Sequence, residues 1–381
     1  VTLTSKPETI AAQAGGVVDE ATGAVVPPIQ IATTFLRDPD NQYRRGFGYA
    51  RPDNPVTRNA EEVLRRLEGG VSCLMFGSGM AAATTVFLAL ERPAHVVVPS
   101  VMYWALRNWL ASDAATHGIT ATFVDATSPD AIKAAIRPGA TKLVWIETPA
   151  NPMWGISDIA ATAAIAHEAG ALLAVDSTVA TPVLTRPLDL GADVVMHSAT
   201  KYLNGHSDVV AGALVFPRTD GLAERAARVR YMLGAVLGPF EASLLLRGMR
   251  TLHVRVRHQC ASAIAIARHF AASPRIVEVL YPGLESAPGH AAARRQMRDG
   301  FGGMLSVRVR GGEAAAIRTA ANVRIWKRAT SLGGVESLIE HRASVEGPGT
   351  PCPPDLLRLS VGLEAIEDLI EDLEQALVAN T

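Results

Sequence analysis

Between residues 59 and 196, short apolar runs alternate with amphipathic segments, and this alternation constrains the fold more than any other feature. Val71–Phe76, His95–Val98, Thr120–Val124, Lys142–Ile146, Leu172–Val175 and Asp193–Met196 read as strands. Asn59–Leu67, Met80–Leu90, Trp104–Thr116, Asp130–Ile136 and Ile159–Ala169 read as the helices between them. Such a pattern predicts βαβ units and an α/β fold with a mostly parallel sheet covered by helices on both faces. After Phe216 the texture changes. Helices are expected over Gly221–Met232 and Ala242–Phe270, strands at Ile276–Leu280, Met304–Val309 and Leu357–Val361, and a closing acidic helix over Ala365–Ala379. The expected organisation is an irregular arm (1–55, with Thr22–Gly48 rich in Pro, Gly and Asp), a large domain (56–245) and a smaller C-terminal α+β domain (246–381).

Composition narrows the function classes. A chain of 381 residues with 48% hydrophobic and 19% charged residues can bury a sizeable core. Lys and Arg number 36 against 37 Asp and Glu, so the basic field of a nucleic-acid binder is absent. Gly69 to Leu90 carries no charge and exceeds the roughly 20 residues that span a bilayer. Its glycines and serines, at 69, 70, 72 and 77–79, instead predict a strand, a glycine turn and a helix, and no membrane partner. Val1 to Ile10 lacks the apolar centre of a signal peptide. Cys73, Cys260 and Cys352 are widely spaced and form no CxxC pair. They read as reduced buried thiols rather than a metal site, and the chain as cytoplasmic.

Three clusters fall at the carboxyl ends of expected strands, where α/β sheets place ligands. Phe76-Gly77-Ser78-Gly79-Met80 joins a strand to a helix N-terminus whose N–H groups suit a phosphate; alone it reads more readily as a glycine turn without a ligand. Asp176 closes an apolar strand, as a helix cap, a structural acceptor or the partner of a cationic ring nitrogen. His197-Ser198-Ala199-Thr200-Lys201 places an amine after two hydroxyls and a buried strand. A lone lysine is ordinarily a solvated surface charge. Here desolvation and adjacent anion-binding hydroxyls suit a Schiff-base lysine. Together the clusters match pyridoxal 5′-phosphate (PLP), whose ring is an electron sink for carbanions.

The chain resembles the Cys/Met-metabolism branch of the fold-type-I PLP enzymes, the family of cystathionine γ-synthase, γ-lyase and β-lyase and methionine γ-lyase. The resemblance runs in order through Pro27-Pro28-Ile29, Thr33-Thr34-Phe35, Tyr49-Ala50-Arg51-Pro52-Asp53-Asn54-Pro55, Gly77-Ser78-Gly79-Met80 and Glu147-Thr148-Pro149-Ala150-Asn151-Pro152. It continues in Val175-Asp176-Ser177-Thr178, Ser198-Ala199-Thr200-Lys201-Tyr202, Ser331-Leu332-Gly333-Gly334 and Arg358-Leu359-Ser360-Val361-Gly362. It implies that Lys201 holds the cofactor and shuttles protons, with Tyr103 stacked on the ring as its catalytic companion. Asp176 would keep the ring nitrogen protonated. Gly79, Met80, Ser198 and Thr200 would bind the phosphate, joined by Tyr49 and Arg51 from a neighbouring subunit. Asn151, Ser331 and Arg358 would bind the amino-acid substrate, Arg358 gripping its α-carboxylate. A homo-oligomer, a dimer of dimers, follows from the shared site.

Departures from the family pattern fall where substrates are chosen. Many relatives have Gly-Gly-Thr after the stacking tyrosine, where this chain has Trp104-Ala105-Leu106. The Arg usual five positions after that tyrosine is Asn108, and the Glu before the Ser-Leu-Gly motif is Thr330. Both charges are associated with the distal end of cystathionine. Methionine γ-lyases carry Cys where this chain has Ala105, and bacterial β-lyases carry Trp where it has Leu332. The expected activity is PLP-dependent γ- or β-elimination or replacement on a sulfur-containing or O-activated L-amino acid, on the γ-synthase/γ-lyase side. A β-lyase or methionine γ-lyase activity is the alternative, with a PLP aminotransferase or a non-catalytic PLP-fold protein further off. Arg107 is a candidate to replace the missing positive charge.

Overall fold

The computed structural model describes residues 5–347 and 349–378. Residues 1–4 of the segment read against a signal peptide, and Ala379 of the closing helix, lie outside the described residues. The chain forms two compact units, each discontinuous in sequence: residues 1–91 with 193–253, and residues 92–192 with 254–381.

In the first unit the helix Pro55–Glu68 starts four residues earlier than its apolar pattern predicts. Asn54 accepts from the Val56 N–H, Pro55 sits where its missing donor costs nothing, and Gly69 ends the helix in the left-handed region. The helix buries Val63, Leu64 and Leu67, each contributing about 1.5–3 kcal/mol. Ser72–Phe76, Gly212–Phe216 and Val194–His197 form antiparallel pairs with Gly212–Phe216 in the middle. That central strand is absent from the strands expected above; its apolar run follows closely on the lysine cluster. The register sets Phe76 opposite Gly212 and His197 opposite Ala213. The glycine turn after Phe76 and the lysine loop after His197 therefore leave the strands at the same end.

The expected helix Ala242–Phe270 is two helices, Pro239–Met249 and Leu252–Ala271. No proline marks the break. A Cβ on Gly248 would lie 2.2 Å from the Asn204 carbonyl oxygen, so close backbone approach governs the first helix there. Tertiary packing of this kind leaves no local composition signal.

The second unit holds parallel strands in the order Leu172–Asp176, Thr141–Glu147, Ala94–Pro99 and Ile119–Val124. Each buries apolar residues, and Ile159–Glu168, capped by Asp158, packs on them through Ile159, Ala163 and Ala166. Asp176 and Glu147 are cross-strand neighbours at the carboxyl ends. A five-stranded sheet in the same unit runs Lys327–Arg328, Leu338–His341, Leu356–Ser360, Met304–Val309, Ile276–Leu280. Its core includes Phe270, Leu305, Trp326, Ile339, Leu359 and Leu373. All three cysteines are free and buried. Among the described residues no helix is long and apolar enough to cross a membrane.

Candidate active site

Each unit carries one group of the expected residues. In the first, Ser78 caps the helix Gly79–Leu88, its Oγ accepting from the Ala81 N–H at 3.0 Å. A Cβ on Gly79 would come within 2.8 Å of Ser198 Oγ. One on Gly212 would come within 2.1 Å of the Ser78 carbonyl oxygen. Helix start, lysine loop and central strand thus meet more closely than side chains would permit. Thr200 is fixed three times: its N–H and its Oγ1–H both donate to Ala211 O at 3.1 Å, and its Oγ1 accepts from Ala211 N–H at 2.9 Å. Lys201 N–H donates to Ser198 O, and Gly205 N–H to Lys201 O, so the lysine backbone sits in a closed turn.

Beneath that turn His197 Nε2 lies 2.6 Å from Glu68 Oε1, both side chains fully buried. Glu68 Oε2 and His197 Nδ1 have no hydrogen-bond partner among the described residues. His197 is therefore a packing and hydrogen-bonding residue. On the arm, Arg51 Nη1 donates to Tyr231 O at 2.8 Å, and its guanidinium lies 4.7 Å from the Tyr231 ring centre. Tyr49 is 51% exposed. The residues fit a phosphate monoester: a helix N-terminus of ten residues, a glycine whose Cβ would fill the space before it, and a hydroxyl at its edge.

In the second unit the organising residue is one to which sequence reasoning gave no role. Glu147 Oε2 accepts from the Tyr103 N–H at 2.7 Å, and Oε1 accepts from the Asn151 N–H at 2.9 Å. A single buried carboxyl thus fixes the backbone at the expected ring-stacking tyrosine and at the expected substrate-binding asparagine. Burial, then the charge of Asp176, push Glu147 up to about 8. Asp176 Oδ1 accepts from the Thr178 N–H at 3.0 Å. The available signal was a charged residue closing the apolar run Leu143–Ile146.

Arg358 is buried and multiply held. It donates to Ser331 O at 2.8 Å and to Asn151 Oδ1 at 3.3 Å, and it pairs with Glu340 Oε2 at 2.6 Å. Burial lowers it to about 10 against the opposing pull of Glu340, so it stays charged at neutral pH. Ser331 holds φ at 95°, a strained backbone for a non-glycine residue, with its carbonyl turned to Arg358. Tyr103 is 45% exposed, whereas Leu106 is buried and packs inward instead of adding apolar surface to a pocket. Arg107 donates to Ser100 O at 3.2 Å and lies over the Trp104 and Phe123 rings. Trp154 is a packing residue, its Nε1–H donating to Ser306 Oγ at 2.8 Å. A cavity of 690 Å³ in this unit, lined by Trp154, Ile156 and Leu280, contains none of the candidate residues.

Residues 8–378 match the family described as Cys/Met metabolism PLP-dependent enzyme. The chain belongs to this family. Cystathionine gamma-synthase of Mycobacterium bovis is 47% identical over 98% of this chain and 97% of its own length. Cystathionine beta-lyase of Coxiella burnetii is 39% identical over 96% of each. A crystal structure of metB from Corynebacterium glutamicum matches with a TM-score of 0.96 and 40% identity over 99% of each chain. As a Cys/Met metabolism PLP-dependent enzyme, the chain has the fold-type-I architecture and works with PLP. When bound, PLP supplies an electron sink for negative charge at the substrate carbon.

Proposed function

We propose that this enzyme carries out γ-replacement, joining an O-activated homoserine to a thiol. The observation that carries the reading is 47% identity, across nearly the whole of both chains, to a relative named cystathionine gamma-synthase. Leu332, buried where β-lyases place tryptophan, supports γ over β chemistry.

Within this reading Lys201 attaches the cofactor and then moves the substrate Cα and Cβ protons as general base and acid. Asp176 keeps the ring nitrogen protonated, and Tyr103 holds the ring face. Gly79, Met80, Ser198 and Thr200 bind the phosphate. Arg358 takes the α-carboxylate, with Asn151 and Ser331 fixing its position. The arm (1–55) serves a neighbouring subunit through Tyr49 and Arg51, ahead of the large (56–245) and small (246–381) domains. Exposed Ile31, Leu36, Met232, Leu233 and Phe240 support burial in a homo-oligomer, a dimer of dimers. Three free buried thiols suit a cytoplasmic setting.

Asn108 and Thr330 are both exposed and uncharged. They offer a zwitterionic distal group no ionic partner, which favours smaller or less polar substrates over cystathionine. The test is a panel of O-acetyl- and O-succinylhomoserine, cystathionine and methionine, each alone, with cysteine and with an uncharged thiol, read by mass spectrometry. A thioether formed from an activated homoserine is the expected product, with the uncharged thiol a better acceptor than cysteine. Pyruvate from cystathionine, with no condensation, would replace this reading with a β-lyase. Conversion of the cofactor to its pyridoxamine form by an amino donor would indicate an aminotransferase.

A further inference from the structure

Arg358 is the end of a buried chain of charge. Glu340 on the strand Leu338–His341 stands directly across from Arg358 on Leu356–Ser360. Its Oε2 accepts from Arg358 at 2.6 Å and also from Arg342 Nη1 at 2.8 Å. Arg342 opens the helix Arg342–Glu346, and one turn later Glu346 Oε1 takes both its Nε, at 3.2 Å, and its Nη2, at 2.7 Å. Side-chain exposure along Arg358, Glu340, Arg342 and Glu346 is 4, 8, 6 and 3%. The formal charges sum to zero. Cys352 also lies in this field, but burial first and Glu346 second push its thiol up to about 12, so it adds no charge.

We propose that Arg342 is a positioning residue for Arg358, and that the Arg342–Glu346 pair sets how strongly the enzyme holds an amino-acid carboxylate. A carboxylate paired with Arg358 alone would cancel the charge the substrate needs. Here a single oxygen of Glu340 is divided between two guanidinium groups, so Arg358 keeps positive potential while its geometry stays fixed. Burial alone would lower Arg342, yet its bonds to Glu340 and Glu346 outweigh that and leave it raised. It therefore carries its charge throughout the working pH range.

This inference rests on Arg358 taking the substrate carboxylate, and it predicts effects of opposite sign at two residues that need not touch substrate. Arg342→Met leaves the group at −1, and Glu346→Gln leaves it at +1. The measurement is the equilibrium Kd of glycine for the holoenzyme, read from the absorbance change of bound cofactor, together with KM and kcat for the best substrate. Arg342→Met should raise Kd and KM about tenfold while kcat changes less than about threefold. Glu346→Gln should lower both constants about threefold, and the double variant should return to within about threefold of wild type. If Arg342→Met does not fold, the sign of the Glu346→Gln effect decides. Weakening by both single variants, or no change in either, overturns the inference. Arg358→Ala separates the two claims. A raised glycine Kd there, with unmoved values at 342 and 346, removes only the role of Arg342. An unmoved Kd at Arg358→Ala removes the carboxylate reading and the inference with it.

Discussion

The two groups of candidate residues are built from opposite materials. Around Lys201 the structure uses backbone and hydroxyls: a helix N-terminus, glycines without room for a Cβ, and Thr200 locked onto Ala211. Around Arg358 it uses buried ionisable side chains: Glu147, Glu340, Arg342 and Glu346, all shielded from solvent. Backbone donors are held by the fold and cost little to pre-organise. Buried charges must be paired within the interior, and each one makes its neighbours sensitive to its protonation. The first construction suits a cofactor that stays. The second suits a small acid that must bind and leave.

Substitutions should separate the two constructions. The largest effect is expected from Lys201→Ala, with kcat down about a thousandfold or more and no covalent cofactor. Arg358→Ala should instead retain the cofactor and act mainly through KM, as absorbance spectra and steady-state kinetics would show.

Next comes His197→Phe, which leaves fully buried Glu68 without its partner. Urea unfolding should show a loss of about 3 kcal/mol or more, accompanied by weaker cofactor retention as the loop above shifts. An unchanged midpoint would make the pair incidental.

Glu147 gives its side of the comparison a pH signature. Its folded value near 8 lies above the ordinary 4.5, so the folded chain binds more protons there than the unfolded chain does. The contribution is therefore fully present below 4.5 and is lost as pH rises through about 8. Without added cofactor, the Tm of wild type minus that of Glu147→Gln should fall across this window. A flat difference would mean that Glu147 is ionised throughout.

The smallest effect concerns substrate choice. Asn108→Arg and Thr330→Glu together should raise cystathionine turnover more than the product of the single changes, because both would grip one end of the substrate. Strict multiplicativity would show that the two positions act on different parts of it. Cystathionine used better than every smaller substrate by the unmodified enzyme would overturn the specificity reading itself.

The same contrast explains what could be read from sequence. Strands Ile276–Leu280 and Met304–Val309 are where their apolar runs predict them. The glycine turn and lysine loop are contiguous motifs, and their local signals survive in the fold. Glu340, Arg342 and Glu346 carry no such signal. Ordinary charged residues near a short strand read as solvated until the partner strand places Arg358 opposite Glu340. Glu147 was visible as the first residue of a motif, but its use of both oxygens on the Tyr103 and Asn151 backbones depends on how distant segments pack. The break after Met249 carries no local signal either: a Cβ on Gly248 would meet the Asn204 backbone, 44 residues earlier.

The central claim is that this chain attaches PLP through Lys201, and borohydride reduction followed by peptide mass mapping tests it most directly. The chain has five lysines, at 6, 133, 142, 201 and 327, so a single labelled peptide is unambiguous. The reduced cofactor is expected on Lys201 alone, and none in Lys201→Ala. Label on any of the other four lysines, or none on yellow wild-type protein, would contradict it.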